Sequence, residues 1–421
     1  MKKNNNDLLT IYLNEFNFNF LYKGANKYKC TTTLKYLKLS KVSTYTKDKY
    51  QNYNLDPWVQ SVSINTGKES KKHKIFKLGQ PVKNIRQIWD FLSSANITSS
   101  VWGAMNSKFI KNSNLKYYFP DPWNYNDKSK PSNLMNLYLL PNYYAKNYLN
   151  ISLIKIFGFS ILFIIGLINN SKLVDLLRDI FFSLKIFFKK GFKNYVLFFL
   201  FDIFFLNIIY YRISKKKTDF TIIFLNSIAH YQHNNWNETQ NEKVFFDCVE
   251  RIFCKIDKIN KKYESVILFN GFTQKKIPPE YLLRPMNPEK FLSNFIKFKS
   301  LEQDMTNGGF IFFDKYSEKK NSFEVLNQLY FNKKKVFQLK DFSKKIIFYK
   351  INLKSNKIII LKKNEDSIKE IRKFSQKYSR TVNIKNFFIQ NVKFIKTTGV
   401  HISRGVVLHK SIKSLNNSKK L

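Results

Sequence analysis

Cysteine, glycine, proline and acid are all in short supply in this chain. There are 3 cysteines, 12 glycines and 10 prolines among 421 residues. Cys30, Cys248 and Cys254 are odd in number and widely spaced. That excludes a disulfide framework or a cysteine-based zinc site as a reading of the pattern, and free buried thiols in a reducing compartment are expected. The 29 Asp and Glu are outnumbered by 73 Lys and Arg, a formal net charge of +44. Such an excess points to anionic partners. The lysines are spread along the chain rather than gathered in a stripe, and Lys, Asn, Ile, Phe and Tyr are over-used together while Gly, Pro and Ala are scarce. That is the texture of A/T-biased composition, so the charge does not by itself mark a nucleic-acid surface. An anionic small molecule or polymer is the expected substrate, with no specific nucleic-acid partner. The opening "MKKNNNDLLTIYLNEFNF" lacks a signal-peptide core: Asp7 and Glu15 bracket a short apolar run, and no small-residue cleavage site follows. It reads as a first strand, Leu8 to Leu13, and a cytoplasmic location is expected.

What is present suffices for a sizeable core, at 44% hydrophobic residues. Residues 1–149 alternate strand-like and helix-like pieces. In "LDPWVQSVSINTG", Asp56 suits an N-cap, Pro57 the first helical position and Gly67 the C-terminal stop. "VKNIRQIWDFLSSAN" places Ile85, Ile88, Trp89 and Leu92 at helical spacing and leads into a strand, "ITSSVWGAM". Residues 218–421 return to this texture, with strands in "DFTIIFLNSIAHY", "YESVILFNGF", "GGFIFFD", "KKVFQL", "KKIIFYKIN" and "KIIILKK", and a helix in "EDSIKEIRKFSQKY". Such alternation predicts an α/β fold with a largely parallel central sheet flanked by helices. The segment 150–217 differs in kind and reads as an apolar helical cap inserted between the two halves. "IFGFSILFIIGLI" is short for a bilayer span, and "YVLFFLFDIFFLNIIYY" carries Asp202, which is costly in hydrocarbon. Buried helices are the expectation there, although the flanking "KK" and "SKKK" leave peripheral membrane contact open.

Histidine is scarce too, at five residues. His230 and His233 directly follow the apolar strand "TIIFLNSI", and strand ends are where open α/β sheets place chemistry. At i and i+3 they can share a metal or serve as acid and base, or simply bond to backbone; no HExxH motif or adjacent carboxylate settles which. His401 sits between Gly399 and Gly405 in "TTGVHISRGVV", a strand–loop–strand pattern with the histidine in the loop. His73 in "KKHKIFKLG" reads as structural. Glu15 closes the first strand with Asn14 beside it, a place for a cation ligand or for a helix cap.

Taken in order, these pieces resemble the alkaline-phosphatase superfamily, in particular its nucleotide pyrophosphatase/phosphodiesterase branch. "IYLNEF" is similar to the family's first strand, "VSINTGKESKKHKI" to the end of its nucleophile-bearing helix, and "IWDFLSSANITSSVWG" to the next helix and strand. "IIFLNSIAHYQH" is similar to the strand before an Asp-x-x-x-His pair, and "TTGVHISRG" to the last G-x-H loop. The resemblance implies a phosphatase-like fold, phosphate or sulfate ester chemistry and a divalent-metal site. The departures are local. Asn14 stands in place of the first metal-binding Asp, with Glu15 beside it. The nucleophile position falls near Pro57, with Gln60 and Ser61 the nearest polar side chains. His233 matches the family histidine, but Ala229 stands where its Asp would be, which leaves His230 as the substitute. "LFNGFTQ" has neither Asp nor His.

The family's two-ion clamp needs several anionic ligands. Glu15, His233 and His401, with His230 nearby, offer one carboxylate and suit one zinc or manganese ion. Three functions follow. The first is a divergent hydrolase or transferase of phosphate or sulfate esters, such as those of glycans or surface polymers. In it Glu15, His233 and His401 are metal ligands, while His230, Gln60 and Ser61 are the catalytic candidates. The second is an inactive relative that binds an anionic ligand or partner. The third is a membrane-associated protein anchored by its apolar middle.

Overall fold

A computed structural model describes residues 7–46, 55–124, 128–147, 151–190, 194–285, 287–293, 295–303, 307–331, 334–352, 354–355 and 392–410. The predicted strand "KIIILKK" and helix "EDSIKEIRKFSQKY" lie outside these residues.

The chain forms two compact units, Met1–Lys276 with Gly399–Leu421, and Ile277–Thr398. In the first, strands β1 (Leu8–Leu13), β2 (Ser40–Tyr45), β3 (Ser99–Trp102), β4 (Leu115–Phe119), β5 (Phe220–Leu225) and β6 (Ser265–Asn270) are joined by the last strand, Arg404–His409. Their order, with that last strand second, is β2, Arg404–His409, β6, β1, β5, β3, β4. β1 lies parallel to β5 and β6, and β3 parallel to β5 and β4; Arg404–His409 runs antiparallel to β6 and β2. This is the largely parallel α/β sheet that the alternating sequence predicts. Central parallel strands are covered on both faces, so they read as unbroken apolar runs. Every residue of β5, "FTIIFL", is buried.

Helices α1 (Phe18–Lys27), α2 (Thr31–Leu37), α3 (Pro57–Thr66), α4 (Ser70–His73), α5 (Ile88–Ser94) and α6 (Met135–Asn147) precede the apolar segment. That segment forms α7 (Leu153–Asn170), α8 (Leu173–Lys190) and α9 (Asn194–Lys215), and is followed by α10 (Ser227–Asn234) and α11 (Thr239–Asn260). The local signals of α3 hold: Asp56 is the N-cap residue, Pro57 opens the helix, and Gly67 ends it in the left-handed region at φ 64°. α5 starts later than its apolar spacing suggests, because the Asp90 carboxylate accepts from the Gln87 N–H at 2.6 Å and closes the first turn there.

Two helices are long and apolar enough to cross a membrane by length and composition, Leu153–Asn170 and Tyr195–Lys215. The expectation that both are buried meets two outcomes. α9 is mostly buried, with Phe199, Ile203, Leu206 and Ile209 in the main core cluster. Its Asp202 has a structural use: its Oδ2 accepts from the backbone N–H of Asn226 at 3.2 Å and of Ser227 at 3.0 Å, which caps α10. α7 is mostly exposed, with only 17% of its apolar window buried.

The second unit has its own core. Strands β7 (Thr273–Pro285) and Val392–Ile402 run from one unit into the other. Within it β8 (Ser300–Gln303), β9 (Gly308–Phe312), β12 (Phe337–Ser343) and β13 (Ile346–Ile351) form an antiparallel sheet in the order β12-β13-β9-β8, with the short β10 (Tyr330–Phe331) and β11 (Lys334–Lys335) pairing separately. Phe291, Leu292, Ile311, Leu326, Phe337 and Ile347 fill the core beside that sheet.

Candidate metal and anion site

The carboxyl ends of three adjacent parallel strands, β1, β5 and β6, converge on one place in the first unit, where open α/β sheets bind ligands. Glu15 follows β1 by two residues and is 2% exposed. Its backbone has φ 53°, a left-handed conformation that costs energy for any residue but glycine. Its own carbonyl holds that turn by accepting from Gln232 Nε2 at 3.0 Å and from the Gln274 N–H at 3.2 Å.

The Glu15 side chain meets two histidines from distant parts of the chain. Glu15 Oε2 is 2.8 Å from His233 Nε2 and 2.9 Å from His401 Nε2, and the two Nε2 atoms are 3.3 Å apart. His233 comes from α10, after β5. His401 comes from the strand Val392–Ile402, not from a glycine-flanked loop as the sequence suggests. Gly399 lies in the same strand because a side chain would not fit there: a Cβ would stand 2.2 Å from Gln274 Oε1 and 2.8 Å from the Gln232 carbonyl oxygen.

A second set of side chains orients the first. Gln274 Nε2 donates to Glu15 Oε2 at 2.5 Å, and Asn14 Nδ2 to Oε1 at 3.1 Å. The Leu55 carbonyl accepts a hydrogen bond from His401. With Nε2 turned to Glu15, Nδ1 is the nitrogen left for that bond, and a proton on Nδ1 leaves the Nε2 lone pair free for a ligand. Leu55 and Asp56 lead into α3, so the start of that helix lies beside His401. The His401 ring also packs edge-on against Phe272, centroids 4.9 Å apart.

Charge follows geometry. Burial pushes the Glu15 carboxyl up, but the fields of His401 and His233 and their hydrogen bonds outweigh it and hold the group well below the usual carboxylate range. Burial lowers His401, yet the charge and hydrogen bond of Glu15, with Asp56 and the Leu55 carbonyl, raise it above an ordinary histidine. One carboxylate oxygen and two imidazole nitrogens, all within 4.8 Å of one another, form a donor set for a divalent ion. The set fits zinc in chemistry: bonds of about 2.0–2.1 Å to histidine and carboxylate need ligand atoms slightly farther apart than these, a small outward relaxation.

The remaining sequence candidates do not join this trio. His230 lies on α10 but turns away. Its ring stacks on Phe198 at 3.5 Å and its Nε2 is 3.2 Å from Asn226 Nδ2, and Asn226 Oδ1 accepts from Asn14 at 2.7 Å. Burial pushes His230 down to about 3, so the ring is neutral near pH 7. Gln60 is buried in α3. Ser61 is fully buried, donates to the Met105 carbonyl at 3.3 Å and accepts from Asn65 Nδ2 at 3.3 Å. His73 is structural, as expected: its Nδ1 accepts from the Ile75 N–H at 3.0 Å, which puts the proton on Nε2, 3.1 Å from Ser63 Oγ.

The sequence reading missed Gln274 and Asn226. Gln274 sits in "FNGFTQ", a segment with neither Asp nor His, and an amide that orients a carboxylate has no spacing signature. The neighbouring Asn270 bonds to backbone, donating to the Phe16 carbonyl at 2.8 Å and accepting from the Val406 N–H at 2.7 Å.

Fold and site define an α/β chain with a carboxylate–bis-histidine cluster at the carboxyl ends of its parallel strands. No family model and no curated protein matches the sequence. Among solved structures, the chain is similar to murine ectonucleotide pyrophosphatase/phosphodiesterase 5, with 8% identity and a TM-score of 0.44 over 96% of this chain and 87% of that chain. The human protein of that name gives 9% and 0.42 over the same shares. Phosphonoacetate hydrolase from Sinorhizobium meliloti, in complex with phosphonoacetate, gives 9% and 0.35 over 64% of this chain and 56% of that chain.

Proposed function

We propose that Glu15, His233 and His401 hold one divalent ion, zinc or manganese, and that the chain is a divergent hydrolase or transferase of phosphate or sulfate esters. The observation that carries this reading is the convergence of the three side chains, from three separate parts of the sequence, onto one point at 2.8–3.3 Å. A bound ion would supply a Lewis acid for the ester oxygen and a water of lowered pKa. The chain's own part is positional. Gln274 and Asn14 fix the Glu15 carboxylate, and the Leu55 carbonyl fixes the His401 tautomer. No hydroxyl is offered as a nucleophile at the start of α3: Pro57 has none, and Ser61 is committed to Met105 and Asn65. The reaction therefore uses water or an acceptor directly and forms no ester on Ser61. An anionic small molecule or polymer suits the cationic chain as substrate.

The commitment of Ser61 also favours a second reading, in which the site binds its ion and an anion without turnover. Elemental analysis of chelator-free protein, followed by an aryl phosphate, phosphodiester and sulfate panel, tests both. About one ion per chain with turnover supports the hydrolase or transferase. One ion without turnover supports the binding protein. A folded chain with no ion defeats both.

A further inference from the structure

The two helices after α6 are built inside out. On α8 the residues turned to the protein include the polar ones: Asp179 and Ser183 are buried with Leu176 and Ile186. Asp179 Oδ1 lies 2.6 Å from Arg251 Nη2 and its Oδ2 lies 2.5 Å from Lys255 Nζ, both on α11. The face turned to solvent is mainly apolar. Val174, Leu177, Phe181, Leu184 and Phe188 recur at intervals of three and four and are 67%, 44%, 68%, 45% and 88% exposed. On α7 the same spacing puts Phe157, Ile161, Ile164 and Ile168 outward, 69%, 45%, 54% and 57% exposed. A helix on the surface of a water-soluble domain carries its polar stripe outward, and contiguous apolar patches of this kind mark a contact surface.

Charge decides between occupants. The acids between residues 151 and 190 are Asp175 and Asp179 alone. The first is bound to Lys258 at 3.0 Å and the second is fully buried. Among the described residues, the exposed charges on the two helices and the turn between them are Lys155, Lys172, Arg178, Lys185 and Lys189, all cationic. Two copies pressed face to face would set like charges together, whereas an anionic lipid surface complements them. The inner faces exclude a simple crossing. α7 packs so closely on α6 that a Cβ on Gly166 would lie 2.8 Å from Leu137 Cγ, and α8 is tied to α11 through Asp179. Both helices are therefore held to the domain by their inner faces, which suits a helix lying in the interface rather than one spanning it.

We propose that the outward faces of α7 and α8 seat this chain on an anionic phospholipid bilayer, with the apolar side chains among the acyl chains and the flanking lysines on the headgroups. This stands apart from the metal site. The test is co-flotation of the full chain with vesicles of equimolar phosphatidylcholine and phosphatidylglycerol, and with phosphatidylcholine alone. The wild-type chain should float with the mixed vesicles, and the double variant Phe157→Glu/Phe181→Glu should float at least tenfold less. Phe181→Trp should be quenched by brominated acyl chains, which reads insertion even if the double variant folds poorly. Three results overturn the proposal: no flotation of the wild type with mixed vesicles; flotation and Trp fluorescence that ignore the substitutions and the brominated chains; or wild-type self-association in buffer that the double variant abolishes, which would make a second copy the occupant.

Discussion

Glu15 Oε2 and His233 Nε2 stand 2.8 Å apart, one from the turn after β1 and the other from the helix after β5. Parallel pairing of these strands, Leu13 beside Leu225, brings their carboxyl ends level and makes the contact. The proposed ion site is thus a product of sheet register, and its three side chains are expected to act as a unit. Glu15→Gln and His401→Ala should each weaken zinc binding by more than the roughly 10–100-fold that outer-shell changes cost. Both chains should stay folded, because the sheet core does not depend on either group. Competition with a chromophoric chelator measures the affinity, and wild-type affinity in both variants would dissolve the site.

Gly399 tests the supporting shell without touching a ligand. In Gly399→Ala the new methyl meets Gln274 Oε1 and the Gln232 carbonyl, the two residues that hold Glu15 in place. The amide can swing, but only by giving up its bond to the carboxylate. We expect about a 10–100-fold loss of metal affinity, with a similar loss in Gln274→Leu. If Gly399→Ala binds zinc as the wild type does, the Gln274 contact does not orient the carboxylate.

Asp202 predicts a pH effect on stability. Burial raises its carboxyl from 3.8 to about 6, only partly offset by the Ser227 and Asn226 amides it accepts from. The folded chain therefore binds more protons at this group than the unfolded chain between those two values. Stability from Asp202 is present below about pH 4 and is lost as pH rises to about 6, by about 3 kcal/mol in all. Asp202→Asn keeps an acceptor for the cap and removes the titration. The difference in unfolding free energy between variant and wild type should grow in the variant's favour over that interval, measured by urea titration. Parallel curves would mean that the carboxyl is not raised.

Where the sequence was legible, local signals and global placement agreed. Asp56, Pro57 and Gly67 bound α3 because capping and φ preferences act within a few residues. The apolar run of β5 announced a strand, and the structure buries every residue of it. Glu15, His233 and His401 stood out as scarce residue types at element ends, and the sheet brings them together. Gln274 and Asn226 were illegible because their meaning comes from what they touch across the sheet. α7 misled for a related reason: an apolar helix in a core and one turned outward have the same composition, and only the packing on α6 shows which side is covered. Nothing in the strand texture of Ile277–Thr398 marks it as a separate compact unit, since a hairpin strand and a parallel strand of that length look alike.

Ser61 separates a scaffold hydroxyl from a nucleophile. Its Oγ sits in a closed pair of bonds, donating to Met105 and accepting from Asn65, and no solvent reaches it. A nucleophile needs a base within reach, and the hydrogen-bond partners of Ser61 include none. Removing the hydroxyl leaves the Asn65 amide short of an acceptor, so Ser61→Ala should cost about 1–3 kcal/mol of stability. Turnover of any ester that the wild type hydrolyses should change less than about twofold under the proposed direct attack by water or an acceptor, which uses no ester on Ser61. A loss of several orders of magnitude at unchanged metal content would instead make Ser61 the attacking group. Its buried geometry would then have to open during the reaction.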